Sequence, residues 1–248
     1  MGLKMKVLRE VRQLLLIAGL VLVCRVAVAE PYYVPTASME PTLMIGDHPV
    51  VNKFAYGYSR YSVPFGLGPA SETRLFQKMP ERGDVVVFRH PHDPSDTLVK
   101  RVIGLPGDRI QMRGGRLLIN GEMLPLRRDG GGTMESGDGS TIPAARYMET
   151  LPGGREHPVY KLARYNPLND TPVYVVPAGH LFMMGDDRDN SLDSRVAPEE
   201  GGVGPVPMEN LVGRADFLLY SWDFPVLKQP VSQWVSGLRL SRLFAKVA

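Results

Sequence analysis

The chain has 248 residues, 44% of them hydrophobic and 22% charged, enough to bury a core and suited to one or two domains. Its 26 glycines and 22 prolines stay below the level of a disordered chain and favour a loop-rich, β-rich body over a helical bundle. A net charge of +3 excludes an electrostatic case for nucleic-acid binding, and a single cysteine, Cys24, excludes an internal disulfide.

Lys4, Lys6, Arg9 and Arg12 stand against Glu10 in residues 1–13, and an apolar run, LLLIAGLVLVCRVAVA, follows from Leu14 to Ala29 with Arg25 as its one charge. A basic start before an apolar segment directs a chain to the membrane, with residues 1–13 in the cytoplasm and everything from Glu30 onward on the far side. Two readings of the segment compete. Ala27, Val28 and Ala29 suit the cleavage site of a removable secretory signal. A pattern reaching back through Val7, Leu8 and Val11, with Arg25 snorkelling to the interface, suits a retained anchor. Sixteen residues span only about 24 Å, short of a bilayer core. Pro31 stiffens the chain where a protease needs it extended, which favours retention. The expectation is a transmembrane anchor at 14–29.

Beyond residue 30 the signals are of strands and turns. HPVVNKFAYGY (48–58) reads as a strand, residues 61–84 as an exposed loop and DVVVF (84–88) as a short buried strand. DTLVKRVIGLPGDRIQM (96–112) is β-rich and broken at Leu105, Pro106 and Gly107, which suit a type II turn. GGRLLINGEMLP (114–125) predicts a hairpin through Asn120 and Gly121. Residues 127–156, which include RRDGGGTMESGDGSTIP, read as a mobile excursion, and 172–187 return to strand character. The expected fold is mostly β: an antiparallel-sheet body over 30–220, with about 110–175 forming an inserted smaller β-rich region. In the tail, 221–248, Leu240, Leu243, Phe244 and Val247 fall at i, i+3, i+4, i+7, with Arg239, Arg242 and Lys246 opposite. That pattern predicts a basic amphipathic helix, lying in lipid headgroups or packing on the body.

One serine raises a chemical question. Ser38 sits in PTASMEPTLMIGD (35–47) with no histidine nearby, and a serine hydroxyl is a poor nucleophile until a base takes its proton. In TLVKRVIG (97–104), strand alternation places Lys100 between Leu98 and Val102. A lysine among apolar residues has its charged form disfavoured and becomes a general base near neutral pH. The plainer readings are an edge-strand lysine reaching solvent and a serine in an ordinary turn. The histidines at 48, 90, 92, 157 and 180 show no metal-ligand spacing and receive no chemistry; His90 and His92 read as loop residues.

Four blocks in order and spacing, SMEPTLMIGD (38–47), RGDVVVF (82–88), KRVIGLPGD (100–108) and GDDRDNSLDSR (185–195), resemble the bacterial type I signal peptidases, membrane-bound leader peptidases of the serine-lysine class. With NGE, GREHPVYKL and NLVGRA, the likeness runs from about residue 31 to 220. It implies a nucleophile at Ser38 and a general base at Lys100, a pairing that needs no histidine. It implies an oxyanion site made by the Ser38 amide and the Thr36 hydroxyl, and a Ser191 hydroxyl that bonds the lysine and orients it. It further implies a structural ion pair, Asp193 with Arg195, and shallow pockets for the −1 and −3 residues lined by Met39, Leu43, Val34, Val99 and Tyr32. Tyr32 and Tyr33 also read as interfacial aromatics.

The resemblance thus implies a membrane-anchored serine endopeptidase, without metal or cofactor, that removes signal peptides from exported preproteins on the outer face of the cytoplasmic membrane. Its partners would be preproteins, the lipid bilayer and the secretion translocon, with no nucleic acid. Rival readings exist. Asp189, Ser191, Asp193 and Glu200 match positions 1, 3, 5 and 12 of a calcium loop, but Ser194 stands where that loop needs glycine. A self-cleaving repressor-type protease would need a DNA-binding domain where the membrane segment stands. A non-catalytic, membrane-tethered β-domain binding peptides or partner subunits would have no use for Ser38, Lys100, Thr36 and Ser191 together.

Overall fold

A computed structural model of the chain describes residues 2–62, 74–135, 140–162, 166–224, 226 and 229–247. Part of the loop expected over 61–84, and residues 136–139 of the excursion expected over 127–156, lie outside the described residues. The first element, α1 (Gly2–Ala27), takes in the basic start as well as most of the apolar run. At about 1.5 Å per residue it is roughly 39 Å long, and Leu8, Leu14, Leu15, Leu16 and Ile17 stand exposed along it. Among the described residues no helix is long and apolar enough to cross a membrane. The helix also ends before the expected boundary of the anchor at 29. Ala29 already belongs to β1 (Ala29–Pro31), paired with Asn52, and the Val28 carbonyl accepts the Lys53 N–H.

Every pair of strands among the described residues of the body is antiparallel. After β1 come β2 (Asp47–Asn52), β3 (Val85–Arg89) and β4 (Thr97–Gly104). Next are β5 (Arg109–Arg113), β6 (Arg116–Ile119), β7 (Glu122–Met123), β8 (Leu126–Glu135), β9 (Thr141–Thr150) and β10 (Glu156–Lys161). The series closes with β11 (Tyr174–Val175), β12 (His180–Met184), β13 (Val206–Pro207) and β14 (Leu211–Ser221). A seven-stranded sheet has the order β1-β2-β14-β3-β4-β12-β13; a four-stranded sheet, β11-β5-β6-β7, and a three-stranded sheet, β10-β9-β8, complete the body. Val86, Phe88, Val102, Leu181, Met183 and Leu211 share one core cluster on the large sheet, while Val85, Met39, Leu43, Ala215 and Leu218 share another. The period-two alternation of β3 therefore feeds two cores at once.

Three expectations need correction. The strand expected over 48–58 stops at Asn52, whose side chain accepts the Phe54 N–H and caps a 3-10 turn, Lys53–Ala55. The excursion over 127–156 is largely sheet. Gly130, Gly131 and Gly132 of β8 pair with Arg146, Ala145 and Ala144 of β9, because ladder bonds come from the main chain and ask nothing of the side chain. A Cβ on Gly132 would fall 2.3 Å from the Tyr160 hydroxyl, so the missing side chain makes room for that ring. The C-terminal segment is not an amphipathic α-helix. Val231–Gly237 and Leu240–Arg242 are 3-10 turns, and Leu218 and Asp216 of β14 bond the backbone of Ala245 and Val247. Its arginines turn inward: Arg242 pairs with the fully buried Asp47 and donates to the Thr42 carbonyl, and Arg239 pairs with Asp223 and donates to the Ile45 carbonyl. Those bonds outcompete a shared basic face.

Candidate active site

Ser38 lies in a single 3-10 turn, Ala37–Met39, whose Ala37 and Met39 are buried on either side of it. Its carbonyl accepts the backbone N–H of Asp187 at 3.2 Å, which ties the turn to the 185–195 loop. Thr36 precedes the turn in extended conformation and its side chain makes no capping bond. Its Oγ1 stands 3.5 Å from Ser38 Oγ instead.

Lys100 approaches from β4, where it pairs with Val86. It is 3% exposed, with Nζ 2.5 Å from Ser38 Oγ, so the reading of an amine that reaches solvent does not hold. Burial pushes its pKa down from 10.5 to about 8, against the opposing pull of the Asp193 carboxylate. Charge cannot be stabilised there as water would stabilise it. The site thus holds an amine that is neutral in a usable fraction near pH 7 and sits at bonding distance from a hydroxyl. That arrangement can move a proton from oxygen to nitrogen.

Asp193 and Arg195 form a bidentate pair, with Arg195 Nε to Oδ1 at 2.9 Å and Nη2 to Oδ2 at 2.8 Å. The Gly185 and Arg195 amides also donate to Asp193, so burial, which would raise this carboxyl, is outweighed and it stays below its ordinary pKa. Its oxygens are spent on these donors rather than on a calcium loop. Ser191 lines a cavity that Ser38 and Lys100 also line and is buried, but its Oγ makes no hydrogen bond. The bond to Lys100 that the resemblance implies is not formed; Nζ bonds Ser38 Oγ.

Tyr32, Val34 and Val99 line a cavity of about 140 Å³ beside Ser38. Met39 and Leu43 do not. Both have no exposed surface and form the layer beneath, packed with Val34, Val85 and Leu218.

Several site residues lay outside the sequence reading. Gly185 is one: a Cβ there would stand 2.3 Å from Ser191 Oγ and 2.4 Å from the Ser38 carbonyl oxygen. A buried charge network is another. Arg101 holds Asp186 through Nε at 2.8 Å and Nη2 at 2.7 Å, and Thr42 adds a 2.5 Å bond. His157, given no chemistry from sequence, is fully buried between Asp186 and Glu149, with ring nitrogens 3.4 and 3.3 Å from their oxygens. Glu149 in turn binds Arg188 bidentately. Burial alone would raise both carboxyls, yet the Arg101 and Arg188 guanidiniums hold Asp186 and Glu149 far below the carboxylate range. Asp187 goes the other way, up to about 7, through burial and the like charges of Glu40 and Asp189. Only the spacing of GDDRDNSLDSR, with its buried-looking alternation of acids and arginines, signalled any of this. Among the described residues no group of three or more His, Cys, Asp or Glu side chains stands where it could hold a metal ion.

The family described as "Signal peptidase, peptidase S26" matches residues 7–220. The chain belongs to that family. It is 40% identical over 242 residues to a Signal peptidase I of Rickettsia typhi, covering 90% of this chain and 87% of that one. A Signal peptidase I of Rickettsia canadensis is 37% identical over 252 residues, covering 95% and 92%. Among solved structures, a signal peptidase I from Enterococcus faecalis is 25% identical and covers 55% of this chain and 97% of that one, with a TM-score of 0.34.

Proposed function

We propose that the chain is a membrane-anchored serine endopeptidase that removes N-terminal signal peptides from exported preproteins, with Ser38 as nucleophile and Lys100 as general base. The observation that carries this is the 2.5 Å approach of a buried lysine amine to Ser38 Oγ. The family and the relatives named Signal peptidase I support the substrate class. In the reaction, Lys100 Nζ takes the Ser38 hydroxyl proton as Oγ attacks the scissile carbonyl carbon. The developing oxyanion is received by the Ser38 N–H and Thr36 Oγ1. Lys100 then gives its proton to the departing amine, leaving an ester on Ser38, and the same amine activates the water that hydrolyses it.

Geometry supports an extended substrate. β12 pairs with β4 only over Arg101–Gly104, so Thr97–Val99 keep one edge without a partner strand among the described residues, facing 32–36 across the 140 Å³ cavity. A peptide strand can add to such an edge, and a cavity that small suits small side chains at −1 and −3. For the anchor, the support is α1, whose apolar side chains Leu8, Leu14, Leu15, Leu16 and Ile17 stand exposed. It would hold the body at the outer face of the cytoplasmic membrane, within reach of the lipid bilayer and the translocon. The test is incubation of the detergent-solubilised protein with a preprotein and sequencing of the new N-terminus. Cleavage after the signal peptide that is lost in Ser38→Ala is expected; equal processing by Ser38→Ala overturns the proposal.

A further inference from the structure

The proposed dyad stands at the junction of two cavities. The smaller one accounts for the acyl side of the substrate. The larger, about 670 Å³, shares Pro35, Thr36, Ser38, Leu98 and Lys100 with it and extends past Ser38 to Ile45, Leu168 and the 189–192 loop. Its far wall is built from Ile45, Leu168, Leu192, Asn166, Asn190 and Asp189.

We propose that Ile45, Leu168 and Leu192 form a second specificity surface, which receives the first residues after the scissile bond and selects an apolar side chain there. The proposal rests on the reading of Ser38 and Lys100 given above. A peptide lying along the open edge of β4 must cross the dyad and leave into this cavity, where Lys100 can return its proton to the departing amine. Leu192 is the telling residue. Within a loop that is otherwise almost wholly buried it is 59% exposed, and Asn190 is exposed with it, on either side of buried Ser191. The loop therefore presents an apolar side chain and an amide to whatever lies in front of Ser38.

The part of this wall that carries Leu168 is braced by hydrogen bonds. Asn166 accepts the Leu168 N–H at 2.9 Å and donates to the Asp189 carbonyl at 3.0 Å, and the Asn169 carbonyl accepts the Gly115 N–H at 2.8 Å. A turn pinned from both ends holds Leu168 in the wall of this cavity without substrate, and a preorganised apolar wall loses little on binding. Asp189, in the same wall, disfavours an acidic side chain.

The test is a panel of peptides identical through −1, carrying Leu, Ala, Lys or Asp at +1 and, separately, at +2. The wild-type protein is expected to favour Leu over Asp by about tenfold or more in kcat/KM at one of these positions, the discrimination a hydrophobic pocket supplies. Leu192→Asp should abolish that preference and favour Lys, whereas Leu192→Met should keep it. A peptide aldehyde ending at −1 reaches only the smaller cavity and should bind the wild type and Leu192→Asp alike. A flat ranking in the wild type, or an unchanged ranking in Leu192→Asp, overturns this inference alone when the panel is cleaved. Failure to cleave any peptide overturns the reading of Ser38 and Lys100, and this inference with it.

Discussion

If the buried Lys100 amine is the base, its protonation sets both the rate and the stability of the protein. Its pKa falls from 10.5 to about 8 because the ammonium is desolvated, a difference worth about 3 kcal/mol in favour of the neutral form. The base works only when neutral. A rising limb of kcat/KM is therefore expected near pH 8, with the rate at pH 6 about 100-fold below the plateau. Initial rates between pH 5 and 10, on a fluorogenic peptide spanning a signal-peptide cleavage site, read this directly.

Stability should follow the same titration with a defined sign. Below pH 8 folded and unfolded chains both hold the proton, and the buried cation costs stability. Between 8 and 10.5 only the unfolded chain binds it, so the unfolding free energy rises with pH. Lys100→Met, close in shape and uncharged, should be inactive yet more stable than wild type at pH 7 by up to about 3 kcal/mol. That gain should disappear above pH 10.5 in urea titrations followed by circular dichroism. A kinetic limb at pH 10 or above, or a Lys100→Met difference that ignores pH, would refute the burial argument.

Three further outcomes follow from the geometry. Thr36→Val keeps the shape but removes the Oγ1 that stands 3.5 Å from Ser38 Oγ, so kcat should fall by about 100-fold with KM and thermal stability little changed, and Thr36→Ser should stay active; near-normal kcat for the valine variant would leave the residue as packing alone. Gly185→Ala puts a Cβ 2.4 Å from the Ser38 carbonyl oxygen, and because backbone cannot swing aside as a side chain can, single-turnover rates should drop by about 100-fold or more; an active alanine variant would show that the turn has room to shift. Arg242→Ala strips the charged partner from fully buried Asp47, leaving it the Met44 N–H, which should cost about 3 kcal/mol in urea unfolding, and a loss under 0.5 kcal/mol would mean the tail contributes little to the body.

Much of the molecule was legible as local pattern. The valine run at 85–87, the turn at 105–107, with its bond from the Asp108 N–H to the Leu105 carbonyl, and the hairpin through Asn120 and Gly121 are decided within a few residues, because turn chemistry and the period of two act over that distance. Four motif blocks likewise marked Ser38, Lys100 and the 185–195 loop, since the residue types that can do the chemistry are few. Tertiary structure decided everything that depends on which distant segments meet. Ser38 and Lys100 are 62 residues apart, and only the pairing of β4 with β3, and the docking of the Ser38 turn, brings the amine to the hydroxyl and shuts it from water. Alternation showed that Lys100 had apolar neighbours but not whether it was buried. The same limit applied elsewhere. Met39 and Leu43 look like pocket residues and are core; His157 looks idle and lies inside a charge network; Leu240, Leu243, Phe244 and Val247 carry a helical period that bonds to Asp47, Asp216 and Leu218 override. Local propensity is worth tenths of a kcal/mol per residue, whereas leaving a buried charge or a strand's backbone groups without partners costs more, so where the two disagree the long-range contact sets the structure.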